Sequence, residues 1–274
     1  MKKCVLITGA STGIGRSTAE YLAAQGFLVY AGARKEQDLI ALNEINNIMS
    51  IKLDITSPKE IASLKKFIED EGNGLFAVFN NAGIAIAGPL MDISVEEIER
   101  QFQTNLFGLH RVTRAVFPHI LEAKGRIIMM SSDSEFFATP FFGPYCSSKH
   151  ALGGYSDSLR RELLLYGVKV VKIQAGRVNT KIWDKGRDMI PKYKNSLFSD
   201  EATKIGEHAI HKGKTTGLDP IEVAKLIYKV LTIENPKASY LIAPSTLKYR
   251  IIKVLSERKI DKMVKKELQK YKKN

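Results

Sequence analysis

The chain has 274 residues, 44% of them hydrophobic and 26% charged, with a formal net charge of +13. That length and balance suit one soluble α/β domain with a large core and argue against a disordered or fibrous chain. Two cysteines exclude a disulfide framework and favour a reducing, cytoplasmic setting, and no apolar stretch reaches bilayer-spanning length.

In chain order, Cys4–Thr8 reads as a buried strand, and Thr8-Gly-Ala-Ser-Thr-Gly-Ile-Gly15 follows it at once. From Ile14, apolar and small residues recur through Ala19, Leu22 and Ala23, and Gly26 closes what is expected to be a helix on a sheet. Gly9, Gly13 and Gly15 allow a tight turn whose free amides face a helix N-terminus, a ready site for a pyrophosphate. The spacing is G-x-x-x-G-x-G rather than the commoner G-x-G-x-x-G, and a glycine turn alone needs no ligand. Further strands are expected at Leu28–Ala33, Ile48–Asp54, Leu75–Asn80, Arg126–Ser132, Val168–Ala175 and Ser239–Ala243. They alternate with helical stretches, which predicts a parallel, doubly wound sheet of about seven strands with helices on both faces.

Asn105 falls within the long helix between the fourth and fifth strands, where asparagine is unfavourable, and a local irregularity is expected there. Ser132 ends the fifth strand, and thirteen residues later comes Tyr145-Cys-Ser-Ser-Lys149. On a helix, Lys149 lies on the Tyr145 face, where its charge favours an ionised phenol and makes it usable as an acid or base. A lone Tyr-x-x-x-Lys also occurs by chance on solvated helices. Cys146 has no histidine placed to activate it and reads as a buried filler. His208 and His211 lack a third ligand, so no metal is expected.

Together these motifs resemble the short-chain dehydrogenase/reductase family from about Met1 to Ile242. The resemblance rests on Thr8 to Gly15, on Asn80-Asn-Ala-Gly83, and on Asn105, Ser132, Tyr145 and Lys149. One departure is Ala175-Gly176 where the family usually has Pro-Gly, although Thr180 follows at the expected distance. The resemblance implies strand order 3-2-1-4-5-6-7 and a catalytic tetrad. In it Tyr145 exchanges a proton with the substrate oxygen while hydride passes to or from nicotinamide, and Ser132 hydrogen-bonds the same oxygen. Lys149 holds the nicotinamide ribose and lowers the phenol pKa, and Asn105 positions a water for proton exchange. Implied cofactor contacts are Gly9, Ser11, Thr12, Gly13, Ile14, Gly15, Asp54, Ile55, Asn81, Ala82, Gly83, Tyr145, Lys149, Gly176, Val178 and Thr180, with Asn80 tying the fourth strand to the catalytic segment and approaching the adenosine ribose. At the end of the second strand an NAD enzyme would carry an acid, whereas this chain has Ala33, Arg34 and Lys35. A guanidinium at Arg34 can pair with a 2′-phosphate, so NADP(H) is preferred, with NAD(H) as the alternative if Arg34 only stacks on adenine or faces solvent.

Residues 151 to 169 look like the 17β-hydroxysteroid, retinol and acyl-dihydroxyacetone-phosphate reductase branch. That implies an apolar carbonyl or alcohol substrate; a 3-oxoacyl reductase and a redox-sensing nucleotide binder are the alternatives. Four phenylalanines between Glu135 and Gly143 suit an apolar substrate or ordinary core packing equally. Residues 180 to 217 are expected to form a lid, with Trp183, Met189, Ile190, Tyr193, Leu197 and Phe198 as its apolar surface and Lys181, Lys185, Arg187, Lys192 and Lys194 around it. The catalytic domain is expected to span 1–246, followed by a basic extension over 247–274 that holds eleven Lys/Arg and three Asp/Glu. Within it Ile260, Met263, Val264, Leu268 and Tyr271 recur at helical spacing, which suits an anionic membrane surface, the chain's own domain or a partner copy. No nucleic-acid signature accompanies the charge. The resemblance implies a homodimer or homotetramer.

Overall fold

The computed structural model of the protein describes residues 3–187 and 190–271, without the side chains at 185, 187, 191 and 248. Met189 of the expected lid therefore lies outside the described residues, as do the side chains of Lys185 and Arg187.

The first strand, β1 (Cys4–Thr8), is buried along its whole length. A strand covered on both faces can be apolar at every position, and here Val5 and Ile7 point to one layer while Cys4 and Leu6 point to the other. The chain continues through α1 (Gly13–Ala24), β2 (Leu28–Ala33), α2 (Glu36–Asn43), β3 (Ile48–Lys52), α3 (Pro58–Glu71), β4 (Ala77–Asn80), α4 (Val95–Phe102), α5 (Leu109–Glu122) and β5 (Arg126–Ser132). It then forms α6 (Gly143–Glu162), β6 (Lys169–Ala175), α7 (Ile182–Arg187), α8 (Ser199–Thr216), α9 (Pro220–Thr232), β7 (Ser239–Ile242), α10 (Thr246–Ile252) and α11 (Glu257–Gln269).

All seven strands pair in parallel in the order β3-β2-β1-β4-β5-β6-β7. Leu22 of α1, Leu39 of α2 and Val223 and Ile227 of α9 cover one face. Leu64 of α3, Val112 and Val116 of α5 and Leu152 of α6 cover the other. This is the Rossmann-like, doubly wound architecture expected from the alternation of strand and helix patterns. The order reverses between β1 and β4, and crevices beyond the strand C-termini at such a point are where open α/β sheets bind ligands.

Four expected strands are longer in sequence than in the structure: β3 stops at Lys52, β4 begins at Ala77, β6 begins at Lys169 and β7 stops at Ile242. Apolar continuity carries the pattern past the last ladder bond. Leu75, for example, is buried in the α3/α5 layer without lying within β4. The irregularity around Asn105 is a π-helical segment over Gln103–Gly108 between α4 and α5. Such an extra-residue turn reorients side chains within an otherwise continuous helix, and it recurs at functional sites.

Candidate active site

A single cavity of about 1520 Å³ runs over the C-terminal ends of the strands. One part is built by the turn between β1 and α1. Gly9 and Gly13 both have positive φ, which a side chain would strain. A Cβ on Gly13 would touch Thr180 at 3.0 Å, and one on Gly15 would meet the Gly9 carbonyl and stand 2.6 Å from Asn81 Nδ2. The turn is thus packed closely underneath, against Asn81 and Thr180. Ser11, Thr12, Gly13 and Ile14 line the cavity beside Gly9, whereas Gly15 supports the turn from below.

The floor next to this turn comes from the end of β4. Asn81 donates from Nδ2 to Thr8 O at 2.9 Å and to Gly9 O at 3.2 Å, and the Asn81 and Ala82 amides both donate to Thr8 Oγ1 at 3.0 Å. Asn81, Ala82 and Gly83 all line the cavity. Asn80 does not. It is fully buried and donates to Thr113 Oγ1 at 2.8 Å, so it braces β4 against α5. Arg34, Asp54 and Ile55 form the far end, where Arg34 Nη1 lies 3.6 Å from Asp54 Oδ2 with the arginine side chain 65% exposed. An exposed pair at that distance is weak and can yield to a stronger anion. Gly176, Val178 and Thr180 close the opposite side. The glycine turn, its braced floor and the guanidinium at its end fit a dinucleotide, which would lie with pyrophosphate on the turn. Bound there, the nicotinamide supplies hydride chemistry.

Ser132, Tyr145 and Lys149 meet in the same cavity. Ser132 ends β5, and Tyr145 and Lys149 share one face of α6. Lys149 Nζ stands 5.7 Å from the Tyr145 ring centre and donates to Met130 O at 2.7 Å. Phe142 packs edge-on against the tyrosine ring at 6.2 Å. Burial pushes the Tyr145 phenol well above its ordinary pKa, the Ser132 contact opposing it, so without ligand the residue is a neutral acid at pH 7. Burial also pulls the Lys149 ammonium down to about 8. Asn105 stands apart from the cavity wall. Its Oδ1 accepts from Ile84 N at 2.9 Å, and its Nδ2 donates to Ile84 O at 3.0 Å and to Ser148 Oγ at 3.2 Å. It therefore locks the π-helical segment to the loop that follows β4.

The Lys149 value gives a pH prediction. A lysine holds its charge below its pKa, so the cation beside Tyr145 is present at pH 7 and is lost as pH rises through about 8. The kcat/KM for carbonyl reduction is expected to fall above about pH 8, measured as a pH profile of the wild-type enzyme. A profile that stays level well past that point would show that Lys149 keeps its proton in the working enzyme.

Both cysteines are free and buried, and burial raises the Cys4 thiol to about 12 and Cys146 above its ordinary range, which leaves neither as a nucleophile. No group of three metal-ligating side chains occurs among the described residues. No helix among them is long and apolar enough to cross a membrane.

Three parts of the cavity wall were not anticipated from sequence. Asp133 directly follows Ser132 and accepts its hydroxyl at 2.8 Å. Tyr249 of α10 also lines the cavity. Ile260, Met263, Val264, Leu268 and Tyr271 of the basic tail line the cavity opposite Ile205, Gly206 and Ala209 of α8. Lys204 donates to Tyr271 O at 2.9 Å and fastens that end. Within the expected lid, Ile190 and Tyr193 line the cavity, Trp183 packs on Gly213 and donates to Val178 O at 2.8 Å, and Leu197 is exposed. Lys192 is tied to Glu97 at 2.5 Å and Tyr193 is buried against Ile86 and Ile93, so this segment is anchored to the loop after β4.

A dinucleotide cradle that opens onto a serine, a tyrosine and a lysine defines a nicotinamide-dependent oxidoreductase. Residues 3–190 match the family model described as short chain dehydrogenase, and the chain belongs to that family. It is 31% identical to the NADPH-dependent 3-dehydrocapnine reductase of Ornithobacterium rhinotracheale, over 97% of each chain. It is also 31% identical to the 3-ketodihydrosphingosine reductase of Bacteroides thetaiotaomicron, over 88% of this chain and 87% of that one. Among solved structures, a closed form of serine dehydrogenase complexed with NADP+ matches with TM-score 0.75 and 26% identity, over 89% of this chain and 95% of the other.

Proposed function

We propose that the protein is an NADPH-dependent reductase of a lipid-like carbonyl, in which Tyr145 delivers the proton, Ser132 holds the reacting oxygen and Lys149 supplies the neighbouring charge. The observation that carries this reading is the continuity of the cavity. From Tyr145 it passes the Phe137, Phe141 and Phe142 loop and continues between α8 and α11, where Ile190, Ile260, Met263, Val264 and Leu268 make an apolar wall. A wall of that composition shelters a hydrocarbon chain from water, worth about 0.8 kcal/mol for each buried methylene. Residues 180–217 and the tail act together as the cover of this channel, so the tail works as part of the catalytic unit. The exposed lysines on the outer side of α11 leave a basic face suited to an anionic lipid surface. A homodimer or homotetramer and a cytoplasmic location accompany this reading. The names of the two relatives, each a reductase of a 3-keto or 3-dehydro compound, support the direction of the reaction.

NADPH is favoured because no carboxylate occupies position 33 and Arg34 stands exposed at the cavity end. Replacing Arg34 with glutamine is expected to weaken NADPH about tenfold to a hundredfold, the scale of a charge-assisted hydrogen bond, while changing NADH little. Titration of both cofactors against the two proteins measures this, and equal weakening would make Arg34 an adenine or fold contact. The activity itself is tested by following NADPH absorbance with aldehydes, long-chain ketones, steroid and retinoid carbonyls, and β-ketoacyl esters. Fastest turnover of small polar carbonyls, or of β-ketoacyl esters alone, would reject the lipid-like ketone reading, and cofactor binding without any turnover would favour a sensor.

A further inference from the structure

An ion pair is buried directly behind the serine, tyrosine and lysine of the cavity. Glu135 ends the short 3₁₀ turn Asp133–Glu135 that follows β5, and Lys172 lies in β6; their side chains are each 9% exposed and meet at 2.7 Å. Such a pair is weak evidence for added stability, because desolvation of both charges offsets much of their attraction. What it holds is direction. Glu135 Oε1 accepts from Lys172 Nζ, and Glu135 Oε2 accepts from Ser131 Oγ at 2.7 Å. Lys172 Nζ also donates to Asp157 Oδ2 of α6 at 3.0 Å, and Arg160 Nη2 stands 3.6 Å from Asp157 Oδ1.

This cluster meets α6 along one stripe. Lys149, Gly153 and Asp157 recur at four-residue intervals and so share a face of the helix. Lys149 Nζ reaches back to Met130 O, and Glu135 is fastened to Ser131, the next residue of β5. Between Lys149 and Asp157, Gly153 leaves the space that Glu135 fills: a Cβ there would stand 2.6 Å from Glu135 Cγ and 2.8 Å from its Cδ and Oε1. We infer that Glu135 is a positioning residue for the reaction, a buried carboxylate that seats the Lys149 turn of α6 on the end of β5 and places a negative charge one helical turn from that lysine. The inference rests on the carbonyl-reductase reading and deepens it, since Glu135 acts through the group that gives Tyr145 its neighbouring cation. The charged groups around Glu135 are Lys149 and Asp157 from α6, Lys172 from β6, and Lys253 of α10, whose Nζ donates to Gln174 Oε1 at 2.8 Å and stands 4.1 Å over the Phe136 ring. On its cavity side Lys149 faces Tyr145. Lys172 is shared between two carboxylates, so Glu135 is not fully neutralised, and its charge opposes the burial that pulls the Lys149 ammonium down to about 8. Removing that charge lowers the lysine pKa further, and the protonated form is then lost at lower pH.

Three variants of the full-length protein separate charge from reach. Glu135→Gln keeps the length and the acceptor for Ser131 but removes the charge, and the basic limb of its kcat/KM profile is expected to move down by about one pH unit, the scale of one charge at such a distance inside a protein. Glu135→Asp keeps the charge but is too short to span Ser131 and Lys172, and Gly153→Ala keeps the glutamate but fills its seat. Each of these two is expected to lower kcat about tenfold, as a misplaced group does, and to leave the limb near pH 8. Gly153→Ala touches neither partner of the ion pair, so it reads the seat even where loss of the pair unfolds the chain. The Lys149 titration is also read without turnover, by NMR of isotope-labelled lysine Cε, the signal being assigned by its loss in Lys149→Arg. An unmoved titration in Glu135→Gln overturns the inference, and so does wild-type kcat in Gly153→Ala. The two readings fail separately. A Lys149 titration that moves in a protein reducing no carbonyl leaves the placement of Glu135 standing and removes the reductase, whereas carbonyl turnover with an unmoved titration leaves the reductase standing and removes the role of Glu135.

Discussion

Replacing Tyr145 with phenylalanine is expected to lower kcat for carbonyl reduction by about a thousandfold while leaving the fold and NADPH affinity close to wild type. Removal of a positioned general acid costs typically 10²- to 10⁴-fold, and in this site no other group is placed to substitute. The Ser132 hydroxyl is a much weaker acid than a phenol, and Lys149 is held on Met130 O. The phenylalanine ring keeps the edge-on contact with Phe142 and the apolar volume at the cavity wall, so the loss falls on proton delivery. Single-turnover reduction, cofactor titration and circular dichroism on the same variant separate the three quantities. Wild-type turnover by Tyr145→Phe would take the phenol out of the reaction, and loss of NADPH binding in step with turnover would make it a cofactor contact instead.

The residues around Tyr145 were legible in the sequence to different degrees, for physical reasons. The sheet could be read because each strand is buried on both faces, which leaves nearly unbroken apolar runs at β1, β5 and β6. The glycine turn could be read because Gly9 and Gly13 need positive φ and Gly15 cannot carry a Cβ, so composition there is dictated by backbone geometry. Asn105 signalled a break in its helix by poor propensity, and a π-helical segment is found there. Its contacts with Ile84 and Ser148 were not readable, since they depend on how that segment meets the chain after β4. Asp133 carried no local signal at all. Tyr249, which lines the same cavity, belongs to α10 beyond β7 and is distant in sequence. The tail lies between these cases: the spacing from Ile260 to Tyr271 identified an apolar face, but a face does not name what covers it. In the structure that face lines the cavity together with residues of α8.

That placement sets the second large effect. Ending the chain after Leu255 removes α11, and with it Ile260, Met263, Val264, Leu268 and Tyr271 from the cavity wall. The sheet and its two packed layers draw nothing from α11, whose apolar residues enter the described core clusters only at Ile260, beside Tyr249 and Ile252. The shortened protein is therefore expected to fold and to bind NADPH. Its substrate chain would instead lie against water. Exposing four methylenes costs about 3 kcal/mol at roughly 0.8 kcal/mol each, which corresponds to a loss of about two orders of magnitude in kcat/KM for a long-chain ketone. A short ketone that never reaches α11 should keep most of its rate, and Val264→Asp in the full-length chain should reproduce the same split by charging the wall without deleting it. The comparison also separates the two uses of the tail. A helix that served only to hold an anionic membrane would, on removal, lower vesicle attachment in low salt and leave the chain-length dependence of soluble substrates unchanged. Loss of long and short substrates to the same extent would place the defect in the packing of Ile260 with Tyr249 and Ile252, and not in the channel.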